Sequence, residues 1–206
     1  MSVLTLFCTC GAIEWSLSET APPSGIRYTC NCDDCQAFAY FTRNSDSVLD
    51  ATGGTDAYQL PASQLKVARG LDQLACVQVT TRALLRWHCA VCMTPIANTY
   101  GSSKLSFLSV PLCTVPLQNR LEVFGPSSGH VWTKFGWGDL SSVKQVSIPA
   151  MLWRIVVRII VARITGDYRN NPLFNRDDGR PIAVPRHLSR SERFALDEMV
   201  RVRASA

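Results

Sequence analysis

Seven of the nine cysteines lie in three short motifs whose spacing suits metal binding. They are Cys8 and Cys10, then Cys30, Cys32 and Cys35, then Cys89 and Cys92. Thiolate sulfur is a preferred ligand of zinc, and two cysteines separated by two residues form one half of a tetrahedral zinc site. Because nine is an odd number, disulfides cannot pair every cysteine within one chain. Metal coordination is therefore a better interpretation of the cysteines than disulfide bonding. Together the motifs can hold two Zn²⁺ ions per chain.

The first and last motifs can combine into one closed site. On a strand, residues i and i+2 point to the same face, so the sulfurs of Cys8 and Cys10 can reach one metal. Cys89 and Cys92 supply the other two ligands. We predict that this four-cysteine site (Cys8, Cys10, Cys89 and Cys92) holds a structural zinc. The metal would then tie the first strand to a segment about eighty residues further along the chain.

The central motif supplies three thiolates within six residues. This three-cysteine site (Cys30, Cys32 and Cys35) leaves one metal position open, which is how catalytic zinc sites are built. The alternative is a closed structural site, whose fourth ligand would be Cys76, Cys113, His88 or His130. In both interpretations the three cysteines bind a metal ion.

The charge of an open three-cysteine site indicates its chemistry. Zinc(II) with three thiolates carries a formal charge of −1, so it is a poorer Lewis acid than zinc on three neutral imidazoles. Such a site suits a thiol substrate better than an activated water, because a coordinated thiol is deprotonated. We expect the three cysteines to act as ligands and not as nucleophiles. His130, beside a Gly- and Ser-rich loop, is the candidate general acid.

Length and composition describe a globular protein. The chain has 206 residues, of which 47% are hydrophobic and 18% are charged. The first residues lack the pattern of a signal peptide, so we expect a reducing, cytoplasmic setting. Residues 1–148 carry ten Lys or Arg and ten Asp or Glu, whereas residues 149–206 carry eleven Arg and six acids. We predict a neutral zinc-binding β domain (1–148), with no nucleic-acid-binding surface, and a basic, Arg-rich helical C-terminal extension (149–206).

Short strand-like segments dominate the first 125 residues. Ile13, Trp15 and Leu17 alternate with polar neighbours, as a half-buried strand requires. Further strands are predicted at residues 74–80, 84–89, 96–100 and 105–112. Gly-, Pro-, Ser- and Thr-rich segments separate them, so we expect a mainly β domain with long loops.

The C-terminal extension has a different pattern. Residues 151–165 predict a helix, although their β-branched content leaves a long strand as the alternative. The apolar run is interrupted by three arginines, Arg154, Arg158 and Arg163. It is therefore not a membrane span, and we expect it to pack against the β domain or a homodimer partner, with membrane-surface binding as the alternative. Ser189 and Glu192 fit a capping box for a final helix over residues 190–203.

Around these cysteines the chain resembles the glutathione-dependent formaldehyde-activating enzyme family. The matching segments are residues 8–15, 30–35 and 89–96, and their order and spacing cover about residues 1–125. The resemblance implies a zinc-bearing β-tent fold, with a structural zinc on the four-cysteine site and a catalytic zinc on the three-cysteine site. It also implies the joining of glutathione and formaldehyde into S-hydroxymethylglutathione, a carbon–sulfur lyase reaction.

The chain departs from the family pattern at four positions. Asn31 stands where His is common, Gln36 and Ala37 where basic residues are common, and Met93 where Gly is common. The two aspartates of the central motif also add negative charge beside an anionic site, which would weaken the binding of an anionic thiol.

Two functions follow from these observations. The first is an enzyme that handles a small thiol, glutathione or a similar compound, and an aldehyde such as formaldehyde. The alternative is a non-catalytic zinc-binding module that binds a protein partner, with residues 151–165 as the interaction element.

Overall fold

The computed structural model describes residues 3–18, 25–81 and 84–205, in which eleven strands form two β-sheets and five α-helices connect or follow them. The strands are β1 (Val3–Phe7), β2 (Glu14–Ser18), β3 (Ile26–Cys30), β4 (Thr55–Leu60), β5 (Leu65–Arg69), β6 (Leu74–Gln78), β7 (Leu84–Cys89), β8 (Pro95–Tyr100), β9 (Leu108–Pro111), β10 (His130–Val131) and β11 (Arg186–His187). The predicted mainly β fold with a helical C-terminal extension is confirmed.

The strands divide unequally between the two sheets. The smaller sheet has the order β1-β2-β5, and the larger has the order β10-β3-β4-β9-β8-β7-β6-β11. Neighbouring strands are antiparallel except at the two edges of the larger sheet, where β10 pairs with β3 and β11 pairs with β6 in parallel. The four strands predicted between residues 74 and 112 correspond to β6 to β9. The predicted and observed ends of these strands differ by at most three residues, at the start of β9.

One apolar core joins the two sheets. Trp15 and Leu17 of β2 are buried and alternate with more exposed neighbours, as the sequence predicts. They belong to the same cluster as Trp87 of β7, Ile96 of β8 and Leu108 of β9. Strand β7 has buried residues at five of its six positions. A charged residue on that strand therefore has to find its partners inside the protein.

Three helices lie between strands, namely α1 (Asp33–Phe41), α2 (Ser45–Val48) and α3 (Leu117–Phe124). Helix α1 was not predicted from the sequence, and its nine residues begin inside the central cysteine motif. Cys32 is its N-cap residue, and Asp33 and Asp34 occupy its first turn. Carboxylates at this position are favourable because the amino end of a helix carries partial positive charge.

The C-terminal extension contains helices α4 (Ile148–Thr165) and α5 (Arg190–Ala204). Both were predicted, and the capping box between Ser189 and Glu192 is present. Only two residues of helix α4, Ile155 and Ala162, are buried, so this segment packs against the rest of the chain less completely than expected. Within the described residues, no helix is long and apolar enough to cross a bilayer.

The C-terminal extension also contributes to the main body of the protein. Leu173 and Phe174 belong to the main core, and β11 forms one edge of the larger sheet. The division of the chain into domains at residue 148 remains a prediction.

A buried ion pair holds α5 against α1. The Nη1 atom of Arg193 lies 2.7 Å from Oδ1 of Asp34, whose side chain is 7% exposed. Its Nη2 atom lies 3.6 Å from Asp33 Oδ2, and its Nε atom lies 2.9 Å from Asp197 Oδ1. The extension therefore supplies one positive charge that both aspartates of the central cysteine motif share with Asp197. Arg193 thus offsets part of the negative charge beside the metal site.

Replacing Arg193 with methionine should destabilise the protein because it removes a charged partner from the buried Asp34 carboxylate. We expect the free energy of unfolding, measured by urea denaturation, to fall by about 2–3 kcal/mol. Arg201→Met is the matched control, since Arg201 forms an exposed pair with Glu198 on the same helix. That variant should change stability by less than about 0.5 kcal/mol. Equal effects of the two substitutions would contradict this role for Arg193.

Candidate metal centres

The four-cysteine site is assembled from two turns at the ends of strands. Cys8 and Cys10 follow β1, Cys89 is the last residue of β7, and Cys92 lies in the turn before β8. All four sulfur atoms lie within 4.8 Å of one another. The Sγ atoms of Cys8 and Cys10 are 3.5 Å apart, and those of Cys10 and Cys89 are 3.8 Å apart. Tetrahedral zinc with Zn–S bonds of about 2.3 Å places its sulfurs about 3.8 Å apart, so the site could hold zinc.

The turns, and not strand alternation, bring these sulfurs together. Cys8 and Cys10 lie beyond the end of β1, and Gly11 has a left-handed conformation with φ +72°. In the second turn the equivalent position is Met93, with φ +62°. The expectation that Cys8 and Cys10 share one face of a strand is therefore wrong. As a residue other than glycine, Met93 adopts this positive φ at some cost, because only glycine does so without strain.

Hydrogen bonds favour thiolate sulfur at Cys92, whereas burial raises the pKa of Cys89 to about 12. The backbone N–H of Ile13 donates to Cys8 Sγ at 3.2 Å, and Thr94 Oγ1 lies 3.1 Å from Cys92 Sγ. Although burial raises the pKa of Cys92, its hydrogen bonds with Thr9 and Thr94 lower that pKa to about 5. Deprotonated sulfur is the form that binds metal.

The three-cysteine site lies where β3 passes into α1. Cys30 ends β3, Cys32 caps α1 and Cys35 is in the first turn of the helix. The three sulfurs lie within 4.8 Å of one another, and those of Cys30 and Cys32 are 3.4 Å apart. These separations also suit a metal with thiolate ligands. All nine cysteines are free thiols.

No further Cys, His, Asp or Glu in the described ranges comes close enough to complete the three-cysteine site. Cys76 is buried in the main core and Cys113 lies beyond the end of β9. His88 packs edge-on against Phe41, with ring centroids 5.6 Å apart. His130 binds Asn31 through its ring nitrogen. The arrangement therefore matches the open alternative, with three protein ligands.

A buried arginine that was not predicted as a site residue lies next to this site. Arg86, on β7, is 1% exposed, and its Nη1 atom lies 3.5 Å from Cys35 Sγ and 3.2 Å from Asn98 Oδ1. Its guanidinium also lies over the Phe38 ring, 5.6 Å from the centroid. Hydrogen bonds from Cys30 and Cys32, together with Arg86, hold the pKa of Cys35 well below its usual range. The signal in the sequence was a charged residue inside the apolar strand 84–89.

Two departures from the family pattern have a structural role. Asn31 is completely buried, and its Nδ2 atom donates to the carbonyl oxygen of Thr52 at 2.8 Å. Gln36 is also buried, and its Nε2 atom donates to the carbonyl oxygens of Asn31, Gly53 and Phe135 at 2.9–3.2 Å. These two amides fasten the metal-binding loop to two other loops, so the ligands are held in place by the surrounding chain.

Metal counting by native mass spectrometry tests the two sites separately. We expect two zinc ions on the wild-type chain and one on Cys35→Ser and on Cys92→Ser. Cys92→Ser should also lower the melting temperature, because it removes the connection between two distant turns. Cys113→Ser is the control and should keep both metals. A wild-type chain that binds one zinc would exclude the three-cysteine site as a stable metal centre.

Arg86→Gln should weaken metal binding at the three-cysteine site alone. Loss of the buried positive charge leaves the anionic cluster less stable, so we expect at least a tenfold lower affinity, about 1.4 kcal/mol. Cobalt titration with chelator competition measures both sites.

Arg69→Gln is the matched control for the four-cysteine site. Arg69 donates to the Gly11 carbonyl oxygen, but its side chain is 63% exposed, so solvent already screens its charge. Its replacement should change affinity less than about twofold. Unchanged metal affinity in Arg86→Gln would mean that the buried guanidinium does not stabilise the thiolates.

Comparisons with known proteins give a family but no activity. A crystal structure of a Rhodobacter sphaeroides protein is similar over 60% of this chain and 97% of that chain, with 21% identity and a TM-score of 0.41. No curated protein matches the chain. Neither result names the glutathione-dependent formaldehyde-activating enzymes, so the relation to them stays a hypothesis. A model of a family of unknown function, DUF6151, matches residues 1–185, and the protein therefore belongs to that family.

Proposed function

We propose that the protein is a zinc-dependent enzyme that joins a small thiol to an aldehyde, or catalyses the reverse, carbon–sulfur lyase reaction. The observation that carries this proposal is the three-cysteine site, which has no fourth protein ligand among the described residues. The four-cysteine site would hold a second, structural zinc. Its four thiolates fill a tetrahedral shell and leave no place for a substrate.

The side chains around the three-cysteine site suit this chemistry. Zinc bound there would supply an open position at which a thiol loses its proton near neutral pH. Cys30, Cys32 and Cys35 hold the metal, while Arg86 balances the charge of the thiolates. Asn31 and Gln36 fix the loop, so that the ligands need not rearrange when a substrate binds.

A cavity of about 240 Å³ shares residues with the apolar cluster around the site, but none of the three cysteines lines it. Tyr28, Val146 and Met151 line it and also belong to the apolar cluster that contains Cys30. Lys144 and Arg154 add two positive charges to its lining. A thiol that carries carboxylates, such as glutathione, fits this combination of an apolar wall and cations. In the resembling family, basic residues are common just after the third cysteine, where this chain has Gln36 and Ala37. Lys144 and Arg154 could supply that positive charge from other parts of the chain.

The proposed reaction is balanced without an oxidant or a reductant. The thiol gives up its proton, its sulfur forms a bond with the carbonyl carbon of the aldehyde, and the carbonyl oxygen takes up a proton. The product is a hemithioacetal, which is S-hydroxymethylglutathione when the substrates are glutathione and formaldehyde. The reverse reaction breaks the same carbon–sulfur bond.

His130 is the candidate for moving the proton. Because Asn31 Nδ2 donates to Thr52, its Oδ1 atom faces His130 and accepts from Nδ1 at 3.0 Å. The neutral ring then has its acceptor lone pair on Nε2. Tyr28 is a poorer candidate for a base, because burial raises the pKa of its phenol far above neutral. Its hydroxyl instead lies 2.9 Å from Ser109 Oγ.

Exchange NMR with ¹³C-formaldehyde tests this function. We expect the protein to accelerate exchange between formaldehyde and its adduct with glutathione, and Cys35→Ser to abolish the acceleration. Cys113→Ser is the matched control and should keep it. The same measurement with cysteine and 2-mercaptoethanol compares thiols of different charge. If protein that holds both metals accelerates exchange with none of these thiols, the proposed activity is wrong.

A further inference from the structure

Helix α4 presents a broad apolar surface to solvent. Its exposed large apolar residues are Leu152, Trp153, Val156, Val157, Ile160, Val161 and Ile164. Ile155 and Ala162 point the other way and are buried. At 100° per residue, all the exposed residues except Leu152 fall within an arc of about 140°. We call this surface the α4 stripe. Trp153 is 67% exposed and Ile164 is 80% exposed, so water covers most of both side chains.

Positive charges border the α4 stripe on both sides. On the helical projection Arg154 lies at one edge of the arc and Arg163 at the other, and both are exposed. Arg158 lies on the inward side, where its Nη1 atom is 3.4 Å from the carbonyl oxygen of Gln59. The helix contains no Asp or Glu. An apolar arc with an arginine at each edge is a pattern found in helices that lie in the plane of a membrane surface.

The charges also distinguish between partners. A second copy of the chain packed on the same stripe by a two-fold axis would bring its own arginines to the edges of the interface, and α4 has no acid to pair with them. An anionic lipid surface supplies phosphates and carboxylates along both edges, while its acyl chains accept the apolar side chains. The C-terminal extension carries eleven Arg and six acids, so its net positive charge also favours an anionic lipid surface.

We propose that the α4 stripe binds anionic membrane surfaces, with the helix parallel to the bilayer plane. The apolar residues would enter the boundary between headgroups and acyl chains, and Arg154 and Arg163 would contact lipid headgroups. The apolar residues of the α4 stripe and Arg163 take no part in the proposed enzyme activity, whereas Arg154 also lines the cavity proposed for the thiol.

Vesicle co-sedimentation tests the proposal on the full chain. We expect the wild type to bind vesicles of phosphatidylcholine with 30% phosphatidylserine, and to bind pure phosphatidylcholine at least tenfold more weakly. Ile160→Asp should reduce binding to the anionic vesicles at least tenfold, because it places a negative charge in the middle of the stripe. Arg154→Gln with Arg163→Gln should reduce binding and its dependence on salt.

The matched control is Val184→Asp, which introduces the same charge at an apolar position that is 92% exposed and lies outside α4. This variant should bind as the wild type does. The proposal is wrong if the wild type does not bind anionic vesicles, or if Ile160→Asp and Val184→Asp bind equally well. Sedimentation velocity without lipid tests the other partner considered above, a second copy of the chain. A wild-type dimer that Ile160→Asp dissociates, with no vesicle binding, would make the stripe a self-association surface and overturn the proposal.

Discussion

The guanidinium of Arg86 is enclosed by protein and lies beside three cysteine sulfurs, and much of the surrounding structure depends on that arrangement. Removing a cation from water costs several kcal/mol unless anions lie close to it. With Zn²⁺ bound, Cys30, Cys32 and Cys35 would supply three negative charges as thiolates, and the metal with Arg86 would supply three positive charges. The centre as a whole would then be neutral. This charge balance, as well as packing, would hold strand β7, which carries the arginine, against helix α1, which carries Cys35.

Strand β7 links the two metal centres. Arg86 contacts the three-cysteine site, and Cys89, three residues further along the same strand, belongs to the four-cysteine site. A strand that is paired on both sides in an antiparallel sheet is a rigid spacer, so the distance between the two sites is set by the sheet. On the outer side of α1, Arg193 of α5 pairs with Asp34. The family match ends at residue 185, so this support for the metal loop comes from a part of the chain beyond it.

Most of the features that could be predicted from the sequence are those encoded by neighbouring residues. Cysteine spacing defined the motifs, and the capping box located the start of α5. The first and last cysteine motifs could also be paired across about eighty residues, because each supplies only two of the four ligands of a tetrahedral site. Other features that depend on distant segments were missed. Arg86 faces a helix that starts more than fifty residues earlier, and α1 itself is short and shares its first residues with the metal motif. The partial burial of α4 could not be predicted either, because an apolar sequence does not reveal how much of its surface the rest of the chain covers.

The charge balance around Arg86 has a consequence for the life of the protein in a cell. In a chain without metal, the pKa of Cys35 is lowered but those of Cys30 and Cys32 are raised, so Cys35 alone is a thiolate beside the guanidinium. The other two sulfurs are then neutral and no metal links them to Cys35, so the segment from β3 into α1 opens more often. Proteases act on such opened chains. The abundance of this protein should therefore follow the supply of zinc, and chains without metal should be removed before they accumulate.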